Sequence, residues 1–430
     1  MKPNPSNQRK SLRIHLGATG AAVGELIFIQ QGRREFSQFQ YAASWLADPN
    51  RFEISPDLPL VAGFQTRKAP SAHDSVFHLA IADTAPDAWG RRVIDRARAK
   101  DRRTNPKLGP LTELDYLCAV DDFSRIGAIR VHSDGRYLQA AEEGRRRTPA
   151  FIELEHMYAA TRAVESDKET AEDLSYLMGK GTSVGGMRPK CTVLDGSGKL
   201  VIGKFPSVND AINVTRAEVL ALQLARTSGI RTASAHCVTL KDAPVAIIER
   251  FDRDAEDRRI PYLSAASLLQ AERNDERSYA ELADAIRTHG SHPVADVQEL
   301  WRRLVFNLLI TNTDDHLQNT GFLYEGAGKW RLAPAFDLNP MVGKLRESKT
   351  PLSEDTGAID SIEVLLRECG YFDLSRAQGL QVISEVLEAV GNWRKVGQLA
   401  EVAMTFAELA AFQEAFEHDQ TRAAQELAKA

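Results

Sequence analysis

Residues 310–319 read ITNTDDHLQN, a polar loop that directly follows the apolar, helix-patterned residues 304–310. Within this loop, Asp314 precedes Asn319 by the same interval as the aspartate and asparagine of a phosphoryl-transfer catalytic loop. A carboxylate at the first position can orient an attacking hydroxyl group, and an amide oxygen at the second can bind Mg²⁺, which prefers oxygen ligands. The loop therefore predicts a helical lobe that carries a phosphoryl-transfer site.

A second carboxylate follows the loop at a distance that a hairpin can close. Residues 322–324 predict a strand, a turn follows, and residues 333–337 read APAFD. Asp337 comes after the second strand of this hairpin, where it can join Asn319 in a Mg²⁺ site made of hard oxygen ligands. The residues after Asp337 are Leu-Asn rather than Phe-Gly, so we expect no activation switch of the ordinary kinase type. Within the loop, we expect His316 to brace the backbone and Asp315 to support the site or to be solvated.

A glycine-rich loop and a strand lysine precede these residues along the chain. Residues 181–186 read GTSVGG, and glycines let a backbone approach phosphate groups closely. Lys204 is the one cation of the apolar strand pattern at residues 201–205. Burial of an ammonium group requires an anion, either nucleotide phosphates or Glu218 on the next predicted helix. A plain turn for the loop and a solvent-directed edge lysine remain open alternatives.

The stretch IIERFDR, residues 247–253, is an apolar strand that runs into charged residues. It lies where two lobes would be joined, so its main chain could hold the adenine edge of a nucleotide. An ordinary strand end with solvated charges is the alternative interpretation.

The pattern along the chain predicts three parts. Residues 1–148 form a mixed β/α subdomain that opens with a hairpin over residues 11–30. Residues 149–252 carry the glycine-rich loop, the strands 190–194 and 199–205, and a helix over 214–228. Residues 253–430 are mostly helical. We also predict one helix over 77–99 and assign Trp393 and Phe406 to the core.

Composition excludes several classes of protein. The chain has 430 residues, a net charge of −5 and four widely spaced cysteines, which argues against a general nucleic-acid binder, a zinc ribbon and a disulfide framework. Its N-terminus lacks the apolar segment of a signal peptide, and no apolar run approaches the ~20 residues of a membrane span. We therefore expect a cytoplasmic protein with no membrane partner.

Several motifs in the same order resemble those of the HipA family of toxin kinases, and the resemblance covers residues 11–415. The matching segments are 86–92 (PDAWGRR), 124–128 (SRIGA), 181–190 (GTSVGGMRPK), 249–253 (ERFDR), 312–319 (NTDDHLQN) and 333–338 (APAFDL). The resemblance implies an α+β fold: a two-lobed, kinase-like architecture with an accessory N-terminal α/β subdomain and an all-helical C-lobe.

The same resemblance implies roles for individual residues, with ATP and Mg²⁺ as cofactors. Asp314 would be the catalytic aspartate, Asn319 and Asp337 the metal ligands, and Lys204 a phosphate contact. The nucleotide-binding loop would comprise Gly181, Thr182, Ser183, Val184, Gly185 and Gly186. At the hinge, Glu249 and Phe251 would hold adenine through their main chain, and Asp252 would assist on the ribose side. Ser183 matches the serine that family members autophosphorylate, and a dianion there would displace the loop and switch the enzyme off.

The family resemblance also implies partners. These are a small helix-turn-helix antitoxin of the HipB type, DNA mainly through that antitoxin, and a protein substrate such as an aminoacyl-tRNA synthetase. Two further hypotheses remain: a small-molecule phosphotransferase with the same carboxylate chemistry, and a non-catalytic corepressor. Autophosphorylation at Ser183 distinguishes the protein kinase from the first, and phosphoryl transfer itself distinguishes it from the second.

Overall fold

The computed structural model describes residues 7–71, 74–140, 151–178, 186–241, 243–343 and 346–429. The described residues divide into two compact units. The first unit comprises Met1–Val208, Asp252–Leu263 and Gly326–Gly328, and the second comprises Asn209–Phe251, Ser264–Glu325 and Lys329–Ala430. The chain passes from the second unit back to the first between Phe251 and Asp252, and the boundary predicted after residue 252 stays a prediction. The other predicted boundary, after residue 148, lies outside the described residues, and the three-part division stays a prediction.

The first unit contains an antiparallel sheet in the order β4-β3-β2-β1-β5-β6, and its strands β7 and β8 pair with each other in antiparallel register. Its strands are β1 (Asn7–Leu16), β2 (Ala21–Gln31), β3 (Arg34–Tyr41), β4 (Gln65–Lys68), β5 (Ile129–Ser133), β6 (Arg136–Tyr137), β7 (Lys190–Leu194) and β8 (Leu200–Lys204). The hairpins predicted over residues 11–30 and 190–205 are confirmed. The alternation of apolar and polar side chains explains the hairpin over residues 11–30. Leu12 and Ile14 of β1 and Leu26 and Phe28 of β2 all point to the buried face of the sheet.

The helices of the first unit are α1 (Ala43–Ala47), α2 (Leu79–Ala82), α3 (Ala88–Thr104), α4 (Glu113–Ala119), α5 (Leu154–Glu165) and α6 (Ala171–Leu177). The single helix predicted over residues 77–99 is wrong, since α2 and α3 are separated by residues 83–87. Pro86 accounts for the break, because proline disfavours helical backbone in the residue before it. Asp87 then starts α3 by accepting a hydrogen bond from Gly90 N at 2.6 Å.

The second unit is mostly helical. Its helices are α7 (Val214–Thr227), α8 (Ala265–Leu268), α9 (Tyr279–His289), α10 (Pro293–Leu309), α11 (Ile362–Arg367), α12 (Arg376–Gly391), α13 (Trp393–Gly397), α14 (Phe406–Ala411), α15 (Gln413–Phe416) and α16 (Asp419–Leu427). Its strands are β9 (Ala235–Leu240), β10 (Ala243–Glu249), β12 (Gly321–Gly326) and β13 (Lys329–Leu332), and β11 (Tyr262–Ser264) lies at its border. The C-terminal region is thus not all-helical, because the hairpin β12–β13 predicted after the catalytic loop interrupts it.

Helix α10 is the central helix of the second unit and packs against α9 and α12. Trp301 and Phe306 of α10 are fully buried. Trp393 is also buried and stacks on Phe416 with ring centroids 4.6 Å apart, as its core assignment predicts. Phe406 is 82% exposed, so its core assignment is wrong. It is the first residue of α14, and Leu409 of the same helix is buried instead.

The described part of the chain has no helix with the length and apolar character that crossing a bilayer requires. All four cysteines are free thiols; Cys191 and Cys369 are buried, and Cys118 and Cys237 are half-buried. Burial raises the pKa of Cys118 to about 11 and that of Cys237 to about 12. Both thiols are therefore protonated at neutral pH and act as small apolar side chains.

Candidate functional site

The predicted catalytic loop, residues 310–319, is held to the end of α10 by its own polar residues. Asn312 donates from its backbone N to Asn307 O at 2.8 Å and from Nδ2 to Asn307 Oδ1 at 3.1 Å. Thr311 donates from Oγ1 to Ala415 O at 2.9 Å. Its φ of 54° turns the chain sharply out of the helix. The loop therefore has a defined path, which positions the residues after it.

Asp314 is the most accessible carboxylate of the loop, with one-third of its side chain exposed. Asn319 donates from Nδ2 to Asp314 O at 2.8 Å, so the two residues expected to act together are in direct contact. The Asp314 carboxylate forms an ion pair with Lys349, and His316 Nε2 lies 4.0 Å from Asp314 Oδ1. Asp314 thus has the exposure and the neighbours that a residue acting on substrate requires.

Asp315 is buried and supports the loop from behind. Its Oδ2 accepts from the Tyr279 hydroxyl at 2.8 Å, and its Oδ1 accepts from Lys349 N at 2.7 Å. Its own carbonyl oxygen accepts from Thr350 Oγ1 at 2.9 Å. Burial raises the pKa of Asp315 in spite of these hydrogen bonds. Of the two roles expected for Asp315, the structure shows the supporting one.

On both sides of Asp337, the chain is hydrogen-bonded to residues at the ends of the predicted catalytic loop. Ala333 N donates to Gly321 O at 2.8 Å, just beyond the loop, and Met341 N donates to Thr311 O at 3.1 Å, at its start. Asp337 has a φ of 55°, and Asn339 Nδ2 donates to its Oδ1 at 3.3 Å. A residue held in this left-handed conformation costs free energy unless its surroundings enforce it. These bonds anchor the segment that carries Asp337, and the approach of its carboxylate to Asn319 stays a prediction.

Asn319 and Asp337 carry oxygen atoms of the kind that a magnesium ion prefers as ligands. Asn319 uses Nδ2 in its bond to Asp314, which leaves Oδ1 as the amide atom suited to a metal, and Asp337 contributes a carboxylate. The described residues contain no cluster of three or more His, Cys, Asp and Glu side chains that could hold a metal. One carboxylate and one amide are nevertheless a sufficient protein contribution for Mg²⁺, which keeps several water molecules and binds substrate phosphates.

The hinge motif divides into two parts with different surroundings. The Glu249 amide donates to Ser234 O at 2.8 Å, so an adenine contact at Glu249 would use its carbonyl oxygen. Phe251 packs against Phe336, the residue before Asp337, with ring centroids 5.4 Å apart. This packing brings the hinge motif into contact with the segment that carries Asp337, the predicted metal ligand.

Asp252 is only 2% exposed, and its carboxylate serves the fold of the first unit. Asp252 Oδ2 accepts from Gly127 N at 2.7 Å and from Arg253 Nη1 at 2.8 Å. Arg253 in turn donates from Nη2 to Phe123 O at 2.9 Å and to Arg125 O at 3.2 Å. The structure thus connects the ERFDR and SRIGA motifs, and the ribose contact of Asp252 stays a prediction.

Lys204 is half-buried at the end of β8 and lies opposite Lys190 in the register of the β7–β8 hairpin. Two cations on one face of a hairpin repel each other. Asp87 offsets this repulsion, because its Oδ2 lies 3.1 Å from Lys190 Nζ. Burial raises the pKa of Asp87, against the opposing influence of the Lys190 and Lys204 charges. The pairing of Lys204 with the buried Glu218 stays a prediction.

Residues 181–185 of the glycine-rich loop lie outside the described residues, so the roles of Gly181, Thr182, Ser183, Val184 and Gly185 stay predictions. Gly186 is described, and its carbonyl oxygen accepts from Trp89 N at 3.3 Å. Together with the Asp87–Lys190 ion pair, this bond attaches the end of the loop to the start of α3. The PDAWGRR motif thereby acquires a structural role.

Sequence reasoning did not identify two residues near the predicted site. Lys349 lies in an irregular segment with no motif around it, and Lys190 was quoted as part of a motif without a role. Lys190 could have been singled out, because an ammonium in a strand of five buried residues requires a nearby anion. Nothing in the local sequence distinguishes Lys349 from an ordinary surface lysine.

Comparisons with known proteins give the family and the fold. Family models for the HipA N-terminal domain and the HipA-like C-terminal domain match residues 14–132 and 182–393. A chain from the solved Shewanella oneidensis complex of the toxin–antitoxin system HipA, HipB and its operator DNA has a TM-score of 0.67 at 16% identity. The match covers 97% of this chain and 99% of that chain, and it confirms the predicted α+β, kinase-like fold.

Two curated bacterial proteins are similar over shorter regions. A putative kinase of Haemophilus influenzae is 30% identical over 101 residues, which are 21% of this chain and 29% of that protein. The putative kinase Y4mE of Sinorhizobium fredii is 27% identical over 149 residues, which are 32% of this chain and 33% of that protein. The match thus spans about a third of each relative's length. With both HipA domain models matched in order along the sequence, the chain belongs to the HipA family.

Proposed function

We propose that this protein is an ATP- and Mg²⁺-dependent serine/threonine protein kinase that acts in the cytoplasm as the toxin of a toxin–antitoxin pair. The observation that carries the proposal is the contact between Asp314 and Asn319 in a loop to which the segment around Asp337 is anchored on both sides. This arrangement of two carboxylates and an amide matches the needs of phosphoryl transfer. Membership of the HipA family and the kinase names of the curated relatives support it.

In the proposed mechanism, Asp314 accepts a hydrogen bond from the hydroxyl group of a substrate serine and orients it toward the γ-phosphorus of ATP. Asn319 Oδ1 and the Asp337 carboxylate would hold Mg²⁺, which when bound offsets the negative charge of the phosphates. Lys204 contacts phosphate oxygens, and the main chain at Glu249 and Phe251 holds the adenine. Asp315 keeps the loop in place through its bonds to Tyr279 and Lys349.

The proposal extends to partners and substrate. The similar Shewanella oneidensis protein chain was solved together with HipB and operator DNA, which supports a HipB-like helix-turn-helix antitoxin as the partner here. DNA would then be bound mainly through that antitoxin. The proposed substrate is a protein serine, such as one in an aminoacyl-tRNA synthetase, whose phosphorylation would stop translation. Ser183 is the proposed autophosphorylation site.

The replacement Asp314→Asn tests the reaction. We expect transfer of radiolabelled γ-phosphate from ATP into proteins of a cell lysate to fall by about 10²–10⁴-fold, the usual contribution of a positioned acid or base. The affinity for ATP should change little, because Asp314 orients the hydroxyl and does not hold the nucleotide. The same assay without lysate, followed by mass spectrometry of the peptide that contains Ser183, tests autophosphorylation.

The replacement Asp134→Asn is a matched control. Asp134 lies in the β5–β6 turn of the first unit with a φ of 51°, a conformation that asparagine adopts as readily as aspartate. Its activity should equal that of the unaltered protein. Near-normal transfer by the Asp314→Asn variant would rule out Asp314 as the catalytic residue.

A further inference from the structure

An ammonium group rests on the proposed catalytic carboxylate, and it comes from outside the catalytic loop. Lys349 Nζ forms an ion pair with Asp314 Oδ1, and the two side chains are 60% and 33% exposed. Lys349 stands 12 positions after Asp337 in the sequence. Among the described residues, His316 also lies near this carboxylate, with its Nε2 4.0 Å from Asp314 Oδ1. Lys349 is thus the primary amine at the point where the substrate hydroxyl would lie.

The backbone around Lys349 is fixed by hydrogen bonds that do not depend on its side chain. Lys349 N donates to Asp315 Oδ1 at 2.7 Å, and Thr350 Oγ1 donates to Asp315 O at 2.9 Å. Ser348 Oγ donates to Thr350 O at 2.7 Å and accepts from Ile359 N at 2.8 Å. The buried Asp315 therefore fixes the backbone position of Lys349, and the fold determines where this lysine lies.

An exposed ion pair of this kind adds little to stability, since such pairs contribute about 0–1 kcal/mol. Stability therefore does not account for holding a lysine at the reacting carboxylate. The pair also occupies Oδ1, one of the two carboxylate oxygens that could accept a hydrogen bond from a serine hydroxyl. A lysine has a flexible stem and three donors, so it can turn from a carboxylate to a nearby phosphate while its backbone stays in place.

We propose that Lys349 binds the γ-phosphoryl group of ATP during transfer and returns to Asp314 between turnovers, an inference that rests on the proposed kinase function. In the step, the serine oxygen forms a bond to the γ-phosphorus, and the bond from that phosphorus to the β,γ-bridging oxygen breaks. ADP leaves with the electron pair of that bond, and the serine proton passes to the Asp314 carboxylate. The Lys349 ammonium offsets the negative charge on the transferring oxygens, where preorganised donors are most effective.

Two replacements test this inference in the full-length protein. Lys349→Met removes the ammonium but keeps the stem and the backbone N–H, so the bond to Asp315 is preserved. The assay uses ATP and a lysate protein that the unaltered enzyme phosphorylates. We expect kcat to fall by about 10²-fold, as after loss of a donor that acts in the transition state. The KM for ATP should stay within about twofold, because the contact forms mainly in the transition state. Lys349→Arg, which keeps the charge, should restore kcat to within about tenfold of the original value.

Lys329→Met is the matched control, because Lys329 Nζ donates to Thr288 O at 2.9 Å in an exposed part of the same unit. Its kcat should be unchanged. The inference would be overturned if the Lys349→Met variant kept an unaltered kcat. It would also be overturned if the Lys349→Arg variant had a kcat as low as that of the Lys349→Met variant. If the unaltered protein transfers phosphate and Asp314→Asn does not, such a result counts against Lys349 alone. If the unaltered protein transfers no phosphate from ATP, the proposed function fails and this inference fails with it.

Discussion

Two residues in left-handed backbone conformations mark the proposed site. Thr311 has a φ of 54° and Asp337 a φ of 55°, and neither is a glycine. Such conformations cost on the order of 1–3 kcal/mol and persist where the surroundings enforce them. Here the enforcing contacts are the bond from Thr311 Oγ1 to Ala415 O and the bond from Met341 N to Thr311 O. Contacts with the surrounding fold thus offset the free-energy cost of holding these residues in left-handed conformations at the proposed site.

His418 supports the same region and gives a prediction about pH. Its side chain is buried, and its Nε2 donates to Leu309 O, at the end of α10, over 3.2 Å. Burial lowers the pKa of His418 to about 4, whereas the unfolded residue titrates near 6.5. Between these values the unfolded chain binds the extra proton, so stability falls as the pH falls from 6.5 toward 4. The loss attributable to His418 should reach up to about 3 kcal/mol.

Denaturant unfolding of the His418→Gln variant at several pH values measures this loss. Glutamine can still donate to Leu309 O but does not titrate, so the variant should lose less stability between pH 6.5 and 4 than the unaltered protein. The exposed His292, replaced in the same way, provides the control and should leave the pH dependence unchanged. Equal acid sensitivity of the His418→Gln variant and the unaltered protein would contradict the assignment.

At the scale of elements, the start of α3 organises the end of the glycine-rich loop. Asp87 both caps α3 through Gly90 N and neutralises Lys190, a lysine only 2% exposed on β7. Trp89 N adds a bond to Gly186 O at 3.3 Å. One turn of helix therefore joins the accessory N-terminal elements to the hairpin that carries Lys204.

Replacement of Asp87 should be costly because it leaves a buried charge without its partner. We expect Asp87→Ala to lower the free energy of unfolding by about 3–5 kcal/mol, the usual result of breaking a buried ion pair from one side. Thr170→Ala is the comparison, since Thr170 caps α6 in a more exposed place and its loss should cost about 1 kcal/mol. Denaturant unfolding measures both values. Similar losses in the two variants would show that Asp87 acts as a helix cap alone.

At the scale of the molecule, nucleotide binding should stabilise the folded state by mass action. With Mg²⁺ and ATP at about 100 times Kd, the gain is about 2.7 kcal/mol, or roughly 3 °C in Tm for a chain of this length. Lys204→Met should reduce this shift, because it removes a proposed phosphate contact. Differential scanning fluorimetry at increasing ATP concentrations measures the effect.

Lys199 provides the matched control, because it is an exposed lysine in the turn of the same hairpin. Lys199→Met should shift with ATP as the unaltered protein does. A Lys204→Met variant with a full ATP-dependent shift would remove Lys204 from the nucleotide site.

Local patterns account for what the sequence predicted well. The hairpin β7–β8, helix α7 and the strand pair after the catalytic loop all followed from alternation, helical spacing and turn residues, which act over a few positions. Gly229 is an example of such a turn residue, since it follows the predicted helix over 214–228 and has a φ of 75°, which glycine adopts readily. Asp314 and Asn319 could be paired for the same reason, because both belong to one short loop.

The tertiary structure decided whatever depends on residues far apart in the sequence. The sequence contains Lys349 and Asp87, but only the folded chain places the first on Asp314 and the second on Lys190. Phe406 was assigned to the core by its residue type, yet the packing of α14 leaves it in solvent. Spacing along the chain reports which residues share a local element, whereas burial and ion pairing depend on which elements meet. That is why ten consecutive residues were enough to predict the loop over 310–319, whereas the position of Lys349 beside it could not be predicted.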